Sequence, residues 1–397
     1  MLHRRQLLAA SAFSAASLSL AAAPAGATAS QAERRFVFLL LRGGLDGLYA
    51  VPAVGDPHFA EARGALARFE EAPLPLHGPF ALHPALAQMH RLYGQGELAV
   101  VHATGLPYRE RSHFDAQQVL ESGGNRPYEL ATGWLARALN ARGGPPTRAV
   151  ALDTAVPLAL RGTAQVDTWA PSVLPEPNAD LLQRLQALYA GDPALAQALA
   201  RAQGLRQNPE MDMAAMKGMG GGGGGGRNAV LALGRQACEF LQKGAQVAVL
   251  EMGGWDSHSQ QANPNGPLNQ QLRTLDALVA TLRDGLQAGG TWGRTVVLVT
   301  TEFGREVAAN GTGGSDHGSG GAAFVLGGAV RGGQVIADWP GLAKADRFEG
   351  RDLKTTTDLR AVQRSLLAQH LGLGRAALDS TVLPGSAGLS MLDLVRG

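Results

Sequence analysis

The sequence of 397 residues contains one cysteine, Cys238, so no intrachain disulfide can form. Even in an oxidising compartment, the fold must therefore be held together by its core. The charge is also nearly balanced, with a formal net value of +2. Nucleic-acid binding usually requires a basic patch, and we therefore expect no nucleic-acid partner. A chain of this length can bury a large core, in one large domain or two smaller ones.

The N-terminal apolar run, Leu7–Ala23, is too short and too rich in alanine and serine for a comfortable membrane span. Paired arginines, Arg4-Arg5, precede this run, and the small residues Ala25–Ala29 follow it. This order is typical of an export signal. The arginine pair favours the twin-arginine route over the alternatives, an ordinary secretory signal or an uncleaved anchor.

We therefore predict that residues 1–29 are a signal peptide and that residues 30–397 act in the periplasm or outside the cell. The twin-arginine export machinery would then be a partner, and no stable membrane span would remain after processing. Removal of Arg4 and Arg5 makes the numbers of basic and acidic residues equal. The mature chain is therefore formally neutral.

Short apolar runs bounded by glycine predict strands that are buried on both faces of a parallel sheet. These runs are Phe36–Leu41, Leu98–His102, Val247–Leu250, Thr295–Thr300 and Ala322–Leu326. Helix-like stretches alternate with them, at Pro84–Tyr93, His113–Ser122, Leu181–Leu188, Ala229–Lys243 and Leu268–Leu286. The alternation predicts an α/β fold, with a doubly wound, mostly parallel sheet and helices on both faces.

The segment at about 207–227 differs from the rest of the chain. Four methionines precede seven consecutive glycines, Gly220–Gly226. Such a glycine run predicts a flexible insertion in the domain. The methionines could bind soft copper(I), but a solvated or loosely packed loop is the favoured interpretation.

Polar motifs that contain glycine follow nearly every predicted strand. In open α/β sheets, ligands bind outside the carboxyl ends of the strands, so we expect these motifs to gather along one edge. Their carboxylates and imidazoles could coordinate divalent metals, and two such metals can clamp a phosphoryl group. The alternative is structural, with a capping aspartate in a turn and a mobile glycine-rich loop. The acids and histidines concerned are Asp46, His113, Asp115, Asp256, His258, Glu302, Asp316 and His317.

Ser112 opens a helix-like run, in the sequence Ser112-His113-Phe114-Asp115. One interpretation is a helix N-cap. The other is a nucleophile at a helix N-terminus, where free N–H groups favour an anion. The two roles are compatible. Nearby, Arg109 and Arg111 could bind phosphate or sulfate oxygens, with plain surface charge as the alternative.

In combination, five motifs resemble a widespread bacterial family, domain of unknown function 1501, whose members typically carry a twin-arginine signal. The motifs are Arg42–Gly47, Ser112–Asp115, Gly253–His258, Thr301–Arg305 and Gly314–Gly318. The resemblance extends over about Phe36 to Leu392. It implies membership of the alkaline phosphatase and sulfatase superfamily, with a doubly wound sheet and a two-metal site.

The resemblance also implies roles for individual residues. Asp46 corresponds to the first metal-binding aspartate, and Ser112 falls near the nucleophile position. Asp256 and His258 resemble the Asp/His pair of one metal site, although one residue separates them here and three commonly do in the superfamily. His113 would lie with Arg109 and Arg111 on the substrate side.

Glu302 follows a strand where the superfamily has an Asp-His pair, but the next residue here is Phe303. Asp316-His317 could supply this pair from a later loop. Alternatively, His317 matches the final metal histidine, and we prefer this alignment because it preserves the strand order. The departures leave one metal, or none, as alternatives to two.

These features lead to two hypotheses. The first is a periplasmic hydrolase of phosphate or sulfate esters, with Ser112 as its nucleophile and a divalent metal (zinc, manganese, magnesium or calcium) held by Asp46, Asp256, His258, Glu302, Asp316 and His317. A small-molecule ester would be its substrate. The second is a non-catalytic exported binding or assembly protein that kept the fold with a degenerate metal site.

Overall fold

A computed structural model describes residues 33–142, 147–162, 165–171, 177–205 and 224–397. The predicted signal peptide and most of the methionine- and glycine-rich insertion lie outside these ranges. The end of that insertion lies inside them, because a helix begins at Gly224. Residues 224–227 lie in the first turn of this helix.

A mixed β-sheet forms the centre of the described structure. Its strands are β1 (Arg35–Leu41), β4 (Leu98–Gly105), β5 (Ala149–Ala151), β6 (Val166–Thr168), β7 (Val247–Met252), β8 (Thr295–Thr301), β9 (Gly321–Leu326), β10 (Gln334–Ile336) and β11 (Thr357–Asp358). They lie in the order β10-β4-β9-β8-β1-β7-β5-β6, and β11 pairs with β4. Two short strands, β2 (Leu74–Pro75) and β3 (Ala81–Leu82), form a separate antiparallel pair. All five strands predicted from the sequence are present.

Strand direction determines which loops can meet. β1 is parallel to both β7 and β8, and Leu41 is in register with Met252 and with Thr301. β9 is antiparallel to its neighbours β8 and β4. The carboxyl ends of β1, β4, β7 and β8 and the amino end of β9 therefore share one edge of the sheet. The predicted polar motifs are gathered along this edge.

Helices cover both faces of the sheet because the buried strands alternate their side chains between two cores. On one face, Val37, Leu39 and Leu41 pack with the first group of helices. On the other, Phe36, Phe38 and Leu40 pack with the second group. The first group is α1 (Gly47–Ala50), α2 (Phe59–Arg63), α3 (Ala87–Gly94), α8 (Gly224–Gln242) and α9 (Pro267–Ala288), and the second includes α4 (His113–Ser122), α5 (Trp134–Ala141) and α10 (Leu359–Gln369). This arrangement confirms the predicted doubly wound α/β fold.

Three further helices are peripheral, namely α6 (Ala179–Tyr189), α7 (Pro193–Leu205) and the short α11 (Arg375–Ala377). The single cysteine, Cys238, is buried where α8 packs on α9, and its Sγ donates to the carbonyl of Leu282 at 3.7 Å. Burial raises the pKa of this thiol to about 12. Within the described ranges, no helix has the length and apolar character needed to cross a membrane.

Candidate metal centre

Three imidazoles and one carboxylate converge at the shared edge of the sheet. The ligand atoms of His113, Asp256 and His317 lie within 4.8 Å of one another. Nε2 of His317 is 3.0 Å from Nε2 of His113 and 3.1 Å from Asp256 Oδ1. His258 joins the group, with its Nε2 3.0 Å from Asp256 Oδ1 and 3.1 Å from His317 Nε2. We call these four residues the histidine cluster.

Glu302 orients the His113 ring from behind. It is almost fully buried at the end of β8, and its Oε1 lies 2.8 Å from His113 Nδ1. Gly43 N–H and the Gln117 amide donate to the same oxygen, at 2.9 and 3.1 Å. Burial opposes ionisation of Glu302, but the hydrogen bond from His113, together with the others, holds its pKa below the ordinary value. The ionised carboxylate can only accept, so His113 Nδ1 carries the hydrogen and its Nε2 is left as a lone pair.

The other two imidazoles are oriented in the same way. His258 Nδ1 lies 3.0 Å from Asp316 Oδ1, and the hydrogen bonds from Asn310 and His258 keep the pKa of Asp316 low. His317 Nδ1 lies 3.0 Å from the carbonyl oxygen of Arg111, which is also only an acceptor. Each of the three rings thus has an acceptor at Nδ1. With the hydrogen of each ring on Nδ1, all three Nε2 atoms offer lone pairs to the cluster.

Phe303 replaces the histidine that the resemblance implied beside Glu302. Its buried ring packs against the rings of His113 and His317, with centroid distances of 4.7 and 5.0 Å. The position next to Glu302 thus supports two imidazoles instead of supplying one. His113, which the sequence analysis placed on the substrate side, lies among the candidate ligands.

The charges around the cluster favour ionised Asp256. Burial opposes its ionisation, but the buried guanidinium of Arg305, which donates to Asp256 Oδ1 at 2.6 Å, outweighs this and lowers its pKa. Burial also lowers the pKa of His317, which favours a neutral imidazole. In contrast, the hydrogen bond to Glu302 raises the pKa of His113. Asp256 and His258 are exposed, so the cluster is open to solvent on their side.

The cluster is chemically suited to hold a cation. With hydrogen on every Nδ1, the Nε2 lone pairs cannot hydrogen bond to one another, so their approach to 3.0 and 3.1 Å favours a positive charge among them. A tetrahedral metal with bonds of about 2.0–2.1 Å separates its ligand atoms by roughly 3.3 Å. The spacings in the cluster are similar. A hydrogen bond from the opposite ring nitrogen to a carboxylate or carbonyl is typical of metal-binding histidines.

Asp46 is not part of this cluster, contrary to the role that the resemblance implied. It is buried at the N-cap of α1, where Oδ1 accepts from Tyr49 N–H at 3.0 Å. Its Oδ2 pairs with the fully buried guanidinium of Arg63 at 2.6 Å and accepts from the Gln261 amide at 2.5 Å. The arginine already supplies the positive charge that a metal would bring. We therefore assign Asp46 a structural role.

Glu302 and Asp316 were also predicted as metal ligands. They lie behind the candidate ligand residues instead. Glu302 Oε1 is occupied by donors from His113, Gly43 and Gln117, and its Oε2 accepts from Thr301 Oγ1 at 2.9 Å. Asp316 contacts the far nitrogen of His258 rather than the cluster side of that ring.

The two predicted anion-binding arginines are held by the protein itself. Arg111 forms ion pairs with Asp352 and Glu349, at 2.9 and 2.6 Å. Arg109 donates to the carbonyl groups of Leu106 and Tyr108. Their guanidinium groups are thus committed to internal partners, which does not support the predicted role in binding phosphate or sulfate.

Ser112 occupies the N-cap position of α4, as one sequence interpretation expected. Its side chain makes no capping hydrogen bond to the helix. The residue lies between Arg111, whose carbonyl contacts His317, and the candidate ligand His113. The side chain of Ser112 instead hydrogen bonds that of Tyr108, and the nucleophilic role stays a prediction.

Close backbone contacts hold the loop that carries Asp316 and His317. A Cβ on Gly314 would lie 2.2 Å from the carbonyl carbon of His258, and one on Gly318 would lie 2.3 Å from that of Arg305. Only glycine allows these approaches. The glycines therefore pack this loop against its neighbours, in contrast to the mobile loop that the sequence also allowed.

The fold and site together define an α/β protein with a candidate histidine–carboxylate metal centre. The chain belongs to the family described as protein of unknown function (DUF1501), whose model matches residues 89–381. The histidine cluster lies within this range, whereas Asp46 lies before it. No curated protein matches the chain.

Several solved hydrolase structures are similar to the chain at low identity. The PsFucS1 sulfatase from Pseudoalteromonas sp. is 13% identical, with 86% of this chain and 68% of that chain covered and a TM-score of 0.40. The phosphonate monoester hydrolase of Agrobacterium radiobacter is 12% identical, with coverages of 86% and 74% and a TM-score of 0.37. The alkaline phosphatase from the Antarctic bacterium TAB5 is 13% identical, with coverages of 74% and 91% and a TM-score of 0.35.

Proposed function

We propose that this protein is an exported hydrolase of phosphate or sulfate esters that uses one divalent metal held by His113, Asp256, His258 and His317. The observation that supports this most strongly is the convergence of three Nε2 lone pairs on one ionised carboxylate. Export rests on the paired arginines and apolar run at residues 1–29.

The donor set favours zinc or manganese among the metals considered. Imidazole ligands suit zinc and other transition metals, whereas magnesium and calcium prefer oxygen ligands. When bound, such a cation would stabilise charge on the ester oxygens as a Lewis acid. Arg111 is less suited to this stabilisation because its guanidinium group is already paired with Asp352 and Glu349.

Ser112 is the proposed nucleophile. Its Oγ would form a bond to phosphorus or sulfur as the ester oxygen leaves with the proton that the hydroxyl loses. Water would then cleave this new bond and restore the serine. Ser112 directly precedes His113 in the chain, and its hydroxyl is not used to cap α4. To attack, it would exchange its hydrogen bond with Tyr108 for the ester.

Metal content tests the centre directly. We expect mature protein purified without chelator to carry one equivalent of zinc or manganese by elemental analysis. His317→Ala should lose it, because this imidazole contacts every other member of the cluster. His90→Ala is the matched control, since His90 is half-buried and hydrogen bonds the Pro75 carbonyl instead of the cluster. Metal-free wild type that also fails to bind added zinc or manganese would refute the metal centre.

Turnover tests the reaction. The metal-loaded protein should hydrolyse an aryl phosphate or an aryl sulfate, and Ser112→Ala should lower kcat by at least 100-fold with the metal retained. Full activity in Ser112→Ala would exclude the serine as nucleophile.

The non-catalytic alternative has one observation in its favour. Arg63 neutralises Asp46, so a cation of the protein itself replaces charge that a second metal would supply. A protein that binds a metal stoichiometrically but turns over neither ester class would support an exported binding or assembly role. A protein that is stable without any metal would support it further.

A further inference from the structure

Arg111 has a left-handed backbone, with φ at 61°, although it is not a glycine. This conformation is unfavourable for a long side chain and persists only where the surroundings enforce it. The residue immediately precedes Ser112 and lies two positions before His113. The enforcing contacts therefore act next to the histidine cluster.

A buried carboxylate supplies the main enforcing contact. Asp352 is fully buried, and its Oδ2 accepts from Arg111 Nε at 3.0 Å and from Ser319 Oγ at 2.8 Å. Glu349 receives the outer end of the guanidinium at 2.6 Å. A buried carboxylate requires such partners. Asp352 thus ties Arg111 to the loop that carries His317, because Ser319 belongs to that loop.

The backbone of Arg111 in turn controls one ring of the cluster. Its carbonyl oxygen accepts from His317 Nδ1 at 3.0 Å. A right-handed backbone at this position would turn the carbonyl away and leave Nδ1 without its acceptor. His317 could then carry its hydrogen on Nε2, which would block this nitrogen as a ligand.

We propose that Arg111 and Asp352 are positioning residues for the metal centre: their ion pair holds the strained backbone whose carbonyl keeps His317 Nε2 free for a cation. This inference rests on the proposed metal site. It replaces the predicted role of Arg111 in binding the substrate anion with a role in orienting a ligand.

A comparison of Arg111→Gly with Arg111→Ala separates the backbone from the side chain. Both variants lose the ion pair, but glycine adopts positive φ readily and alanine does not. Loss of a residue that orients a ligand typically costs about 10–100-fold in metal affinity. We expect Arg111→Ala to show such a loss for zinc, measured by competition with a chromogenic chelator, and Arg111→Gly to bind several-fold more tightly than Arg111→Ala.

Asp352→Asn tests the ion pair from its other side, and substitutions of Tyr128 provide the control. Asp352→Asn should weaken zinc binding in the same direction as Arg111→Ala, because it removes the charge that holds the guanidinium. Tyr128 also has positive φ, at 59°, but lies in the exposed loop between α4 and α5. Tyr128→Ala and Tyr128→Gly should leave the zinc affinity unchanged. An equal zinc affinity of the glycine and alanine variants at position 111 would contradict the backbone role.

The tautomer of His317 gives a readout that does not depend on metal. In chelator-treated, ¹⁵N-labelled protein, long-range ¹H–¹⁵N correlations should show hydrogen on Nδ1 in the wild type and in Arg111→Gly, and a mixture in Arg111→Ala. If the wild type bound no zinc, the proposed function would be wrong. The His317 tautomers in the wild type and the two variants would still test the positioning role. Zinc binding and tautomers that were the same in all variants would overturn the inference and leave the proposed function intact.

Discussion

At the scale of single residues, the histidine cluster depends on acceptors that are not ligands themselves. Glu302, Asp316 and the Arg111 carbonyl each hold one imidazole by its Nδ1. Sequence reasoning identified both acids but assigned them to the metal, because a motif shows which residue types are present and not which atom faces inward. No sequence pattern indicated the role of Arg63, because its pairing with Asp46 arises only when α2 packs beside α1.

We predict that Glu302→Gln will weaken metal binding by about 10–100-fold, because a neutral amide orients and polarises His113 less than a carboxylate does. Isothermal titration with zinc would measure this. Glu251→Gln is a matched change near the end of β7, two strands away in the sheet, where the carboxylate bonds Arg42 rather than a histidine. It should leave the affinity unchanged, and equal effects of the two substitutions would contradict the orienting role of Glu302.

At the scale of elements, the strands and the edge of the sheet were predictable, and the way the loops pack was not. Runs such as Phe36–Leu41 are apolar on both faces, which is typical of a strand that is covered on both sides. Their polar ends had to meet at one edge because parallel strands share direction. The conformation of the loop between β8 and β9 depends instead on backbone contacts between distant segments, and a single sequence does not show them.

The glycines of this loop allow a sharp test. Gly318→Ala should destabilise the protein by about 1–3 kcal/mol through overpacking, and it should weaken metal binding, because the new methyl group would displace the backbone beside His317. Gly311→Ala is the control in the same loop, since no atom lies within 4 Å of the added carbon. Thermal unfolding and zinc titration of both variants would measure the difference. If Gly318→Ala were as stable as Gly311→Ala, the loop would accommodate the added methyl group, and the proposed close packing at Gly318 would be contradicted.

At the scale of the whole molecule, buried histidines connect stability to pH. Burial lowers the pKa of His102 and of His370 to about 4, and each ring donates to a backbone carbonyl, of Val51 and of Arg35. In the unfolded chain these rings titrate near 6.5. The unfolded state therefore binds more protons between these values, and the stability present above pH 6.5 is lost as the pH falls towards 4.

We predict that metal-free protein will lose stability steadily between pH 7 and pH 5, with each of these histidines contributing at most about 3 kcal/mol when the pH reaches 4. The raised pKa of His113 has the opposite effect on the free energy of unfolding. This effect comes from one partly exposed residue, so it does not cancel that of the two buried rings. Urea unfolding at a series of pH values would measure the trend. A free energy of unfolding that stayed constant over this range would contradict the burial of the two rings as neutral groups.

The buried thiol of Cys238 has a practical consequence for all of these measurements. Only a thiolate reacts quickly with disulfide reagents, and this thiol is both enclosed between α8 and α9 and poorly ionised. A thiol reagent can therefore label Cys238 only after those two helices separate. A bound cation stabilises the folded state by mass action, so it would slow the labelling of Cys238. The labelling rate would therefore report how much of the protein holds a metal at the histidine cluster.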